Sequence, residues 1–408
     1  MDVIKEITSR NRNDYQRDNF DAFLKKVGFS YSVPSIHIAG TNGKGGTATY
    51  LKDIYQAHGY KVGLFTSPDD LLEMITINSN PIDIDEVESI YNEYRKLFDK
   101  FDLSAFEIET FIALTYFERQ KPDLAIIECG MGGEIDATNI FTPILSIITS
   151  ISIEHSDFLG VSLSEIAHHK AGIIKEEVPV VISSSISDDA LKVIVSHCKE
   201  KQSKLVILDQ YHHMKDEGDK LRFDYRPYTD LVITDRSIYR LTDACLAVEA
   251  TNLLQEKFPV NSEEVKAGIL NSHMKCRFEI FKGEPTVILD GAHNVEAMNR
   301  LRIDMDHIRK SKIHVIFASF RDKNIALEIP EIALLGKVYL TTFDNPRSRT
   351  KEDYFLYLED YLYSENPYEL FESLYNNEEN KEDIILITGS LAFTYHMRKY
   401  ILSRRKDG

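Results

Sequence analysis

The chain has 408 residues, of which 43% are hydrophobic and 28% charged, and a net charge of −17; this is the make-up of a folded protein of more than one domain. Such an acidic chain is poorly suited to displacing counterions from nucleic acid, although a local group of cations can still hold an anionic ligand. Cys129, Cys198, Cys245 and Cys276 form no CxxC pair, and no apolar run resembles a leader or reaches membrane-spanning length, so reduced thiols and a cytoplasmic location are expected, without zinc, disulfides or membrane contact.

Along the chain, short β-branched runs predict strands at 35–39, 62–66, 124–128, 145–150 and 178–182. Between them, apolar residues three and four apart predict helices at 47–58, 85–98, 107–120 and 163–174. Strand and helix in alternation imply a parallel-rich sheet covered on both faces. The polar, aromatic stretch 209–235 reads as a small antiparallel excursion, and helices are expected at 242–258 and 262–272. A second alternating series begins with strands at 286–289, 312–317, 337–341 and 383–387, which makes a smaller α/β, Rossmann-like domain. The expected boundary divides the chain into 1–278 and 279–408.

The stretch "SIHIAGTNGKGGTATYL" reads as strand, glycine turn and helix start with one lysine in the turn. It departs from the strict phosphate-loop pattern: Ile38 stands where the first glycine belongs, and Gly45 and Gly46 follow Lys44 before any hydroxyl. The chemistry nevertheless suits an anion. Successive N–H groups in a tight turn before a helix form a nest for phosphate, glycines permit close backbone approach, and Lys44 adds a mobile point charge. A plain glycine-rich turn between strand and helix is the simpler reading of the loop alone.

Other polar residues fall at the same ends of neighbouring strands, where open α/β sheets bind ligands. Ser67 follows one strand, Glu128 ends another, and His155 lies just past a third. Singly, each reads as an ordinary cap or a satisfied polar group; beside a phosphate nest, hydroxyl, carboxylate and imidazole make a magnesium cage.

With these residues in place, the chain resembles the folylpolyglutamate synthase and dihydrofolate synthase family of the Mur-ligase superfamily. "GTNGKGGT" is similar to that family's GTNGKGST loop, "GLFTSP" to its strand-plus-TSP element, and "ECGMGGEIDATN" to its E-x-G-x-GG-x-x-DATN box. "ITSISIEHSDFLG" resembles ITSI-x-x-DH-x-x-LG, and "IAHHKAGIIK" resembles IA-x-EKAGI. "ILDGAHN", "NPRSR" and "ITGSL" are similar to the DGAHN, NPR and TGS signatures. The resemblance implies a P-loop-containing, Mur-ligase-type ATPase domain followed by a glutamate-ligase domain. It implies an enzyme that phosphorylates a carboxylate with ATP and lets the amine of L-glutamate displace the phosphate.

By the resemblance, Thr41, Asn42, Gly43, Lys44, Gly45, Gly46 and Thr47 belong to the nucleotide loop, and Ser67, Glu128 and His155 hold magnesium. Lys170 matches a lysine that carries a carbamate and could serve a second magnesium; helical periodicity alone makes it a solvated helix lysine. In the second domain, Arg277, Asp290, His293, Asn294 and Ser390 match positions serving nucleotide and incoming glutamate. Lys44, His155, Lys170, Arg277 and His293 are the residues expected to act in catalysis. The expected partners are ATP, L-glutamate, and folate or dihydropteroate, on a monomer.

The chain departs from the family wording at several places. Gly46 replaces the loop serine, Glu134 stands where an arginine is usual, and Glu154 replaces the aspartate before His155. The segment "TSPDDLLEMITIN", part of the cover over the pterin in the family, is shorter, and Thr242, Asp243 and Leu246 occupy the positions of an HQ-x-x-NA pattern. Two further readings therefore stand beside a folate ligase: a Mur-type ligase with another carboxylate acceptor, and a paralogue that binds nucleotide or folate without turnover.

Overall fold

The structure, a computed structural model, describes residues 3–10, 17–66, 71–153, 156–218, 220–234, 237, 239–308 and 311–406. Two compact units divide the chain: Met1–Thr234 with Tyr239–Ser272, and Asp235–Ile238 with His273–Gly408.

The first unit is built on a sheet of β1 (Ser35–Ala39), β2 (Val62–Phe65), β3 (Ile75–Ile77), β4 (Asn80–Pro81), β5 (Leu124–Glu128), β6 (Leu145–Ile148), β7 (Val180–Ile182) and β8 (Leu205–Ile207). Their order is β4-β3-β2-β5-β1-β6-β7-β8. From β2 to β8 across the sheet all pairs are parallel, whereas β3 and β4 form an antiparallel edge. Ile36, Ile38, Ile126, Ile127, Ile147 and Ile148 are buried whichever way they point, as strands covered on both faces require. One face carries the aromatic cluster around Phe23, Phe98 and Phe111; Ile148, Ala167 and Ile182 lie in a separate core cluster.

β1 lies between β5 and β6, so the chain leaves on both sides of it and a crevice opens at its carboxyl end. The glycine loop sits at that end, and the helix Lys44–His58 leaves it. Helix boundaries follow local chemistry: Ser162 and Glu165 make a reciprocal capping box for the helix Leu163–Ala171. That helix stops at Ala171, short of the expected 174, and Gly172 just beyond it packs so tightly against Glu134 that a Cβ would come within 2.4 Å of it.

The excursion expected at 209–235 is an antiparallel meander of β9 (His212–Asp216), β10 (Leu221–Tyr225) and β11 (Tyr228–Ile233). The helix Tyr239–Leu253 then packs on Lys44–His58 and against β6 and β7. No helix among the described residues is long and apolar enough to cross a membrane.

The second unit has β12 (Glu279–Phe281), β13 (Thr286–Leu289), β14 (Ile313–Phe317), β15 (Lys337–Thr341), β16 (Leu362–Ser364) and β17 (Ile384–Thr388), in the order β12-β13-β17-β14-β15-β16. Only β12 is antiparallel to its neighbour. Alternate residues feed two cores: Ile288, Val315 and Leu386 one, Val287, Ile316 and Ile385 the other.

Candidate active site

The loop after β1 is tied to the end of β6. Thr41 N–H donates to the Ser150 carbonyl at 3.0 Å, and Asn42 N–H donates to Ser150 Oγ at 2.8 Å. The Asn42 carbonyl accepts from Thr149 Oγ1 at 2.6 Å and Ser150 Oγ at 3.0 Å. Thr41 Oγ1 both donates to the Ser152 carbonyl and accepts its N–H. Gly43, at φ +88°, takes the left-handed turn into the helix Lys44–His58, a conformation glycine adopts without cost to a side chain. The N–H groups of the first helical turn have no partner within the helix, and the helix dipole adds to their pull on an anion.

Lys44 folds back over this turn, donating from Nζ to the Gly40 carbonyl at 2.8 Å and the Thr41 carbonyl at 3.3 Å. A phosphate oxygen offers the same ammonium a stronger, charge-assisted bond. Thr47 is fully buried, and its hydroxyl has no hydrogen-bond partner among the described residues. Helical rotation of about 100° per residue sets it on a different side of the helix from position 46.

Two carboxylates face the glycines. A Cβ on Gly45 would meet Glu128 Oε2 at 3.3 Å, and one on Gly46 would meet Asp243 Oδ2 at 2.1 Å. Both side chains are nearly buried, Glu128 at 7% exposure and Asp243 at 5%. Carboxylate oxygen beside a phosphate nest is a fitting donor for magnesium, a hard cation. The other two expected ligands, Ser67 and His155, lie outside the described residues, and among those described no three His, Cys, Asp or Glu side chains gather around one point.

The turn after β5 is organised by Asp136. Its carboxylate accepts from Met131 N–H at 2.7 Å, Thr138 N–H at 2.9 Å and Thr138 Oγ1 at 2.5 Å, and burial pushes its pKa up. Beneath it, His37 of β1 reaches Thr138 Oγ1 at 2.8 Å and Cys129 Sγ at 3.1 Å, and burial lowers its pKa to about 3. This turn packs on the end of the helix Leu163–Ala171, where Glu134 N–H donates to the His169 carbonyl at 2.7 Å. Lys170 on that helix is completely buried. Helical periodicity made it a solvated lysine, and the structure corrects this: the helix is covered on the lysine's side as well. Lysine is almost never fully buried unless paired.

In the second unit the DGAHN and TGS stretches stand at the carboxyl ends of adjacent strands β13 and β17. Asp290 takes the N–H of Phe278 at 2.8 Å and of Ala292 at 2.9 Å. Asn294 caps the helix Val295–Ile308 by accepting Ala297 N–H at 2.8 Å, and His293 Nδ1 lies 2.8 Å from the Gly291 carbonyl. Ser390 Oγ accepts Phe393 N–H at 3.4 Å at the start of the helix Leu391–Lys406. Arg277 stands one residue before Phe278, so the Asp290 bond also fixes its backbone.

Within the first unit, the structure brings together Thr41 to Thr47 and Glu128; within the second, Asp290, Asn294 and Ser390 at neighbouring strand ends. Sequence reading gave no role to Asp243, Thr149, Ser150 or Asp136. The signal for Asp243 was present: it and Gly46 are both departures from the family wording, and they touch.

Two family models match the chain: the Mur ligase middle domain over residues 38–225, and the Mur ligase, glutamate ligase domain over residues 276–391. The dihydrofolate synthase/folylpolyglutamate synthase of Bacillus subtilis is 32% identical over 391 residues, covering 90% of this chain and 90% of that protein. The folylpolyglutamate synthase of Lacticaseibacillus casei is 30% identical over 387 residues, again with 90% of each covered. Among solved structures, E. coli FolC in complex with DHPP and ADP superimposes with a TM-score of 0.87 at 25% identity, over 99% of this chain and 97% of that one.

Proposed function

The chain belongs to the folylpolyglutamate synthase/dihydrofolate synthase family of Mur ligases, and on that premise we infer that it is an ATP-dependent ligase joining L-glutamate to a folate or dihydropteroate carboxylate. One observation carries the reading: a lysine-bearing glycine nest and a buried carboxylate, Glu128, meet at the carboxyl ends of β1 and β5.

The reaction asks for charge neutralisation and alignment more than for covalent help. The N–H groups of Gly43 to Gly46 and the Lys44 ammonium receive the phosphates, with Lys44 exchanging two loop carbonyls for phosphate oxygens. The acceptor carboxylate takes the γ-phosphoryl group, giving an acyl phosphate. The glutamate amine then attacks the acyl carbon, and inorganic phosphate leaves as the amide forms. Magnesium, when bound, supplies neutralising charge on the phosphates; Glu128 would hold it with Ser67 and His155. Lys170, as a carbamate formed from its amine and CO₂ with loss of a proton, would hold a second ion, which gives a reason for a lysine buried at 0% exposure. Arg277, Asp290, His293, Asn294 and Ser390 form the second unit's part, serving nucleotide and glutamate. The monomer works in the cytoplasm, on small molecules only.

The test is phosphate release from ATP with magnesium and L-glutamate, offered dihydropteroate or tetrahydrofolate, with the conjugate identified by mass spectrometry. Release that requires both acceptor and glutamate is the expected result. Release with neither acceptor overturns the reading if a muropeptide precursor supports it instead, and no release with any of the three overturns the ligase itself.

A further inference from the structure

Gly46 and Asp243 lie far apart in sequence yet occupy one another's space. A Cβ at Gly46 would stand 2.1 Å from Asp243 Oδ2, 3.0 Å from its Cγ and 3.4 Å from its Cβ. A Cβ at Gly43 would stand 2.4 Å from Oδ1 and 3.3 Å from Cγ. The carboxylate thus spans two loop glycines and fills the volume that a side chain at 46 would need. It cannot withdraw with its helix, because Leu241, Ala244, Cys245 and Leu246 around it are all at most 1% exposed. Tyr239–Leu253 is also packed on Lys44–His58, the helix that the loop begins. Of two substitutions that each look like a loss, one makes room for the other.

The placement also carries charge. The first turn of Lys44–His58 attracts anions through its N–H groups and its dipole, so a carboxylate on its flank is stabilised there. A triphosphate bound in the same nest then has Glu128 on the side of Gly45 and Asp243 on the side of Gly46. Like charges in a poorly solvated setting repel strongly unless a cation lies among them.

We propose that Asp243 is a positioning residue of the nucleotide site: it replaces the side chain missing at 46, braces the loop at Gly43 and Gly46, and makes nucleotide binding depend on the accompanying divalent cation. The proposal rests on the ATP reading above for its second half, and on packing alone for its first.

Two measurements test it. Asp243→Asn keeps the shape and removes the charge, so binding of the ATP analogue AMPPCP without magnesium should tighten about tenfold, while binding with magnesium changes less than about threefold. An unchanged ratio between the two affinities overturns the charge role. Independently of nucleotide, Gly46→Ser should lower the thermal midpoint by several degrees, about 4 °C or more, in the natural background. In an Asp243→Ala background the same change should cost about half as much or less. Equal losses in both backgrounds overturn the packing role. If the unmodified protein binds no AMPPCP with magnesium, the ATP reading and the charge role fall together, and the thermal cycle still decides whether the two residues act as a pair.

Discussion

The nucleotide loop of the first unit and the DGAHN turn of the second are held differently. In the first, the nucleotide loop is held by residues outside it, chiefly Thr149 and Ser150 at the end of β6, and Lys44 donates to two carbonyls of its own turn. In the second, motif residues are themselves the struts: Asp290 ties two backbone segments together and Asn294 caps a helix. A site built the first way separates function from folding; one built the second way joins them. Substitution of Lys44 should therefore silence the protein while leaving it folded, and substitution of Asp290 should unfold it as well.

The largest effect expected is that of Lys44→Ala. It removes the one cation in the loop, and loss of a group stabilising charge in transfer costs on the order of 10³-fold in turnover. The thermal midpoint should move by less than about 2 °C, because the ammonium's bonds are to two carbonyls of its own turn, which the loop's other bonds already hold. Phosphate release within about tenfold of the unmodified protein would break the contrast at its strongest point. Asp290→Ala is the counterpart. It leaves two buried N–H groups without their acceptor, at about 1–3 kcal/mol each, so the urea midpoint of the second unit should fall markedly along with activity. An Asp290→Ala protein as stable as the original would mean that Asp290 is no strut.

Acid and base sharpen the same division. Burial holds the pKa of His37 at about 3, below the 6.5 of an unfolded histidine. Its contribution to stability is complete above pH 6.5 and is lost as pH falls toward 3. Burial raises Glu328, hydrogen-bonded to Ser319 Oγ at 3.1 Å, to about 7 from 4.5. Its contribution is complete below pH 4.5 and is lost as pH rises through 7. Going from pH 7 to pH 5, His37 alone should thus take about 2 kcal/mol from the first unit, and Glu328 alone should add a similar amount to the second. Hydrogen exchange read separately in β1 and β14 measures this, with His37→Asn and Glu328→Gln flattening each response. Protection that moves in the same sense in both units would defeat the expectation.

Much of this was legible in the sequence because it is local. The β-branched runs of β1, β5 and β6 and the glycine spacing of the loop are patterns within a few residues, and strand ends at a switch point gather polar groups by topology. What escaped is not local. The burial of Lys170 depends on what covers its helix, and a period of 3.6 residues cannot tell a face that packs from one that is wet. Asp243 looked like the loss of an adenine-side pattern because its contact with Gly46 is visible only in three dimensions. The edge strands β3, β4, β12 and β16 are too short to carry an alternation, and Ser67 and His155, for all their sequence context, lie outside the described residues.

The smallest effect concerns a second place where departures touch. The family pattern has an arginine at 134 and a glutamate at 169, whereas this chain has Glu134 and His169. Glu134 Oε2 lies 3.6 Å from His169 Nδ1 and 3.8 Å from His168 Nε2, so acid and base have traded sides beside the turn that packs on Lys170. The pair is partly solvated, Glu134 at 50% side-chain exposure and His169 at 24%, and such pairs contribute about 0–1 kcal/mol. Glu134→Arg alone removes the acid beside His168 and His169 and should lower the thermal midpoint by about 1–3 °C. Adding His169→Glu, which sets an acid against the new cation, should restore most of the loss. A double variant no better than the sum of its parts would show that the exchange at 134 and 169 is two separate drifts, and would leave Gly46 and Asp243 as the one compensated pair beside the loop.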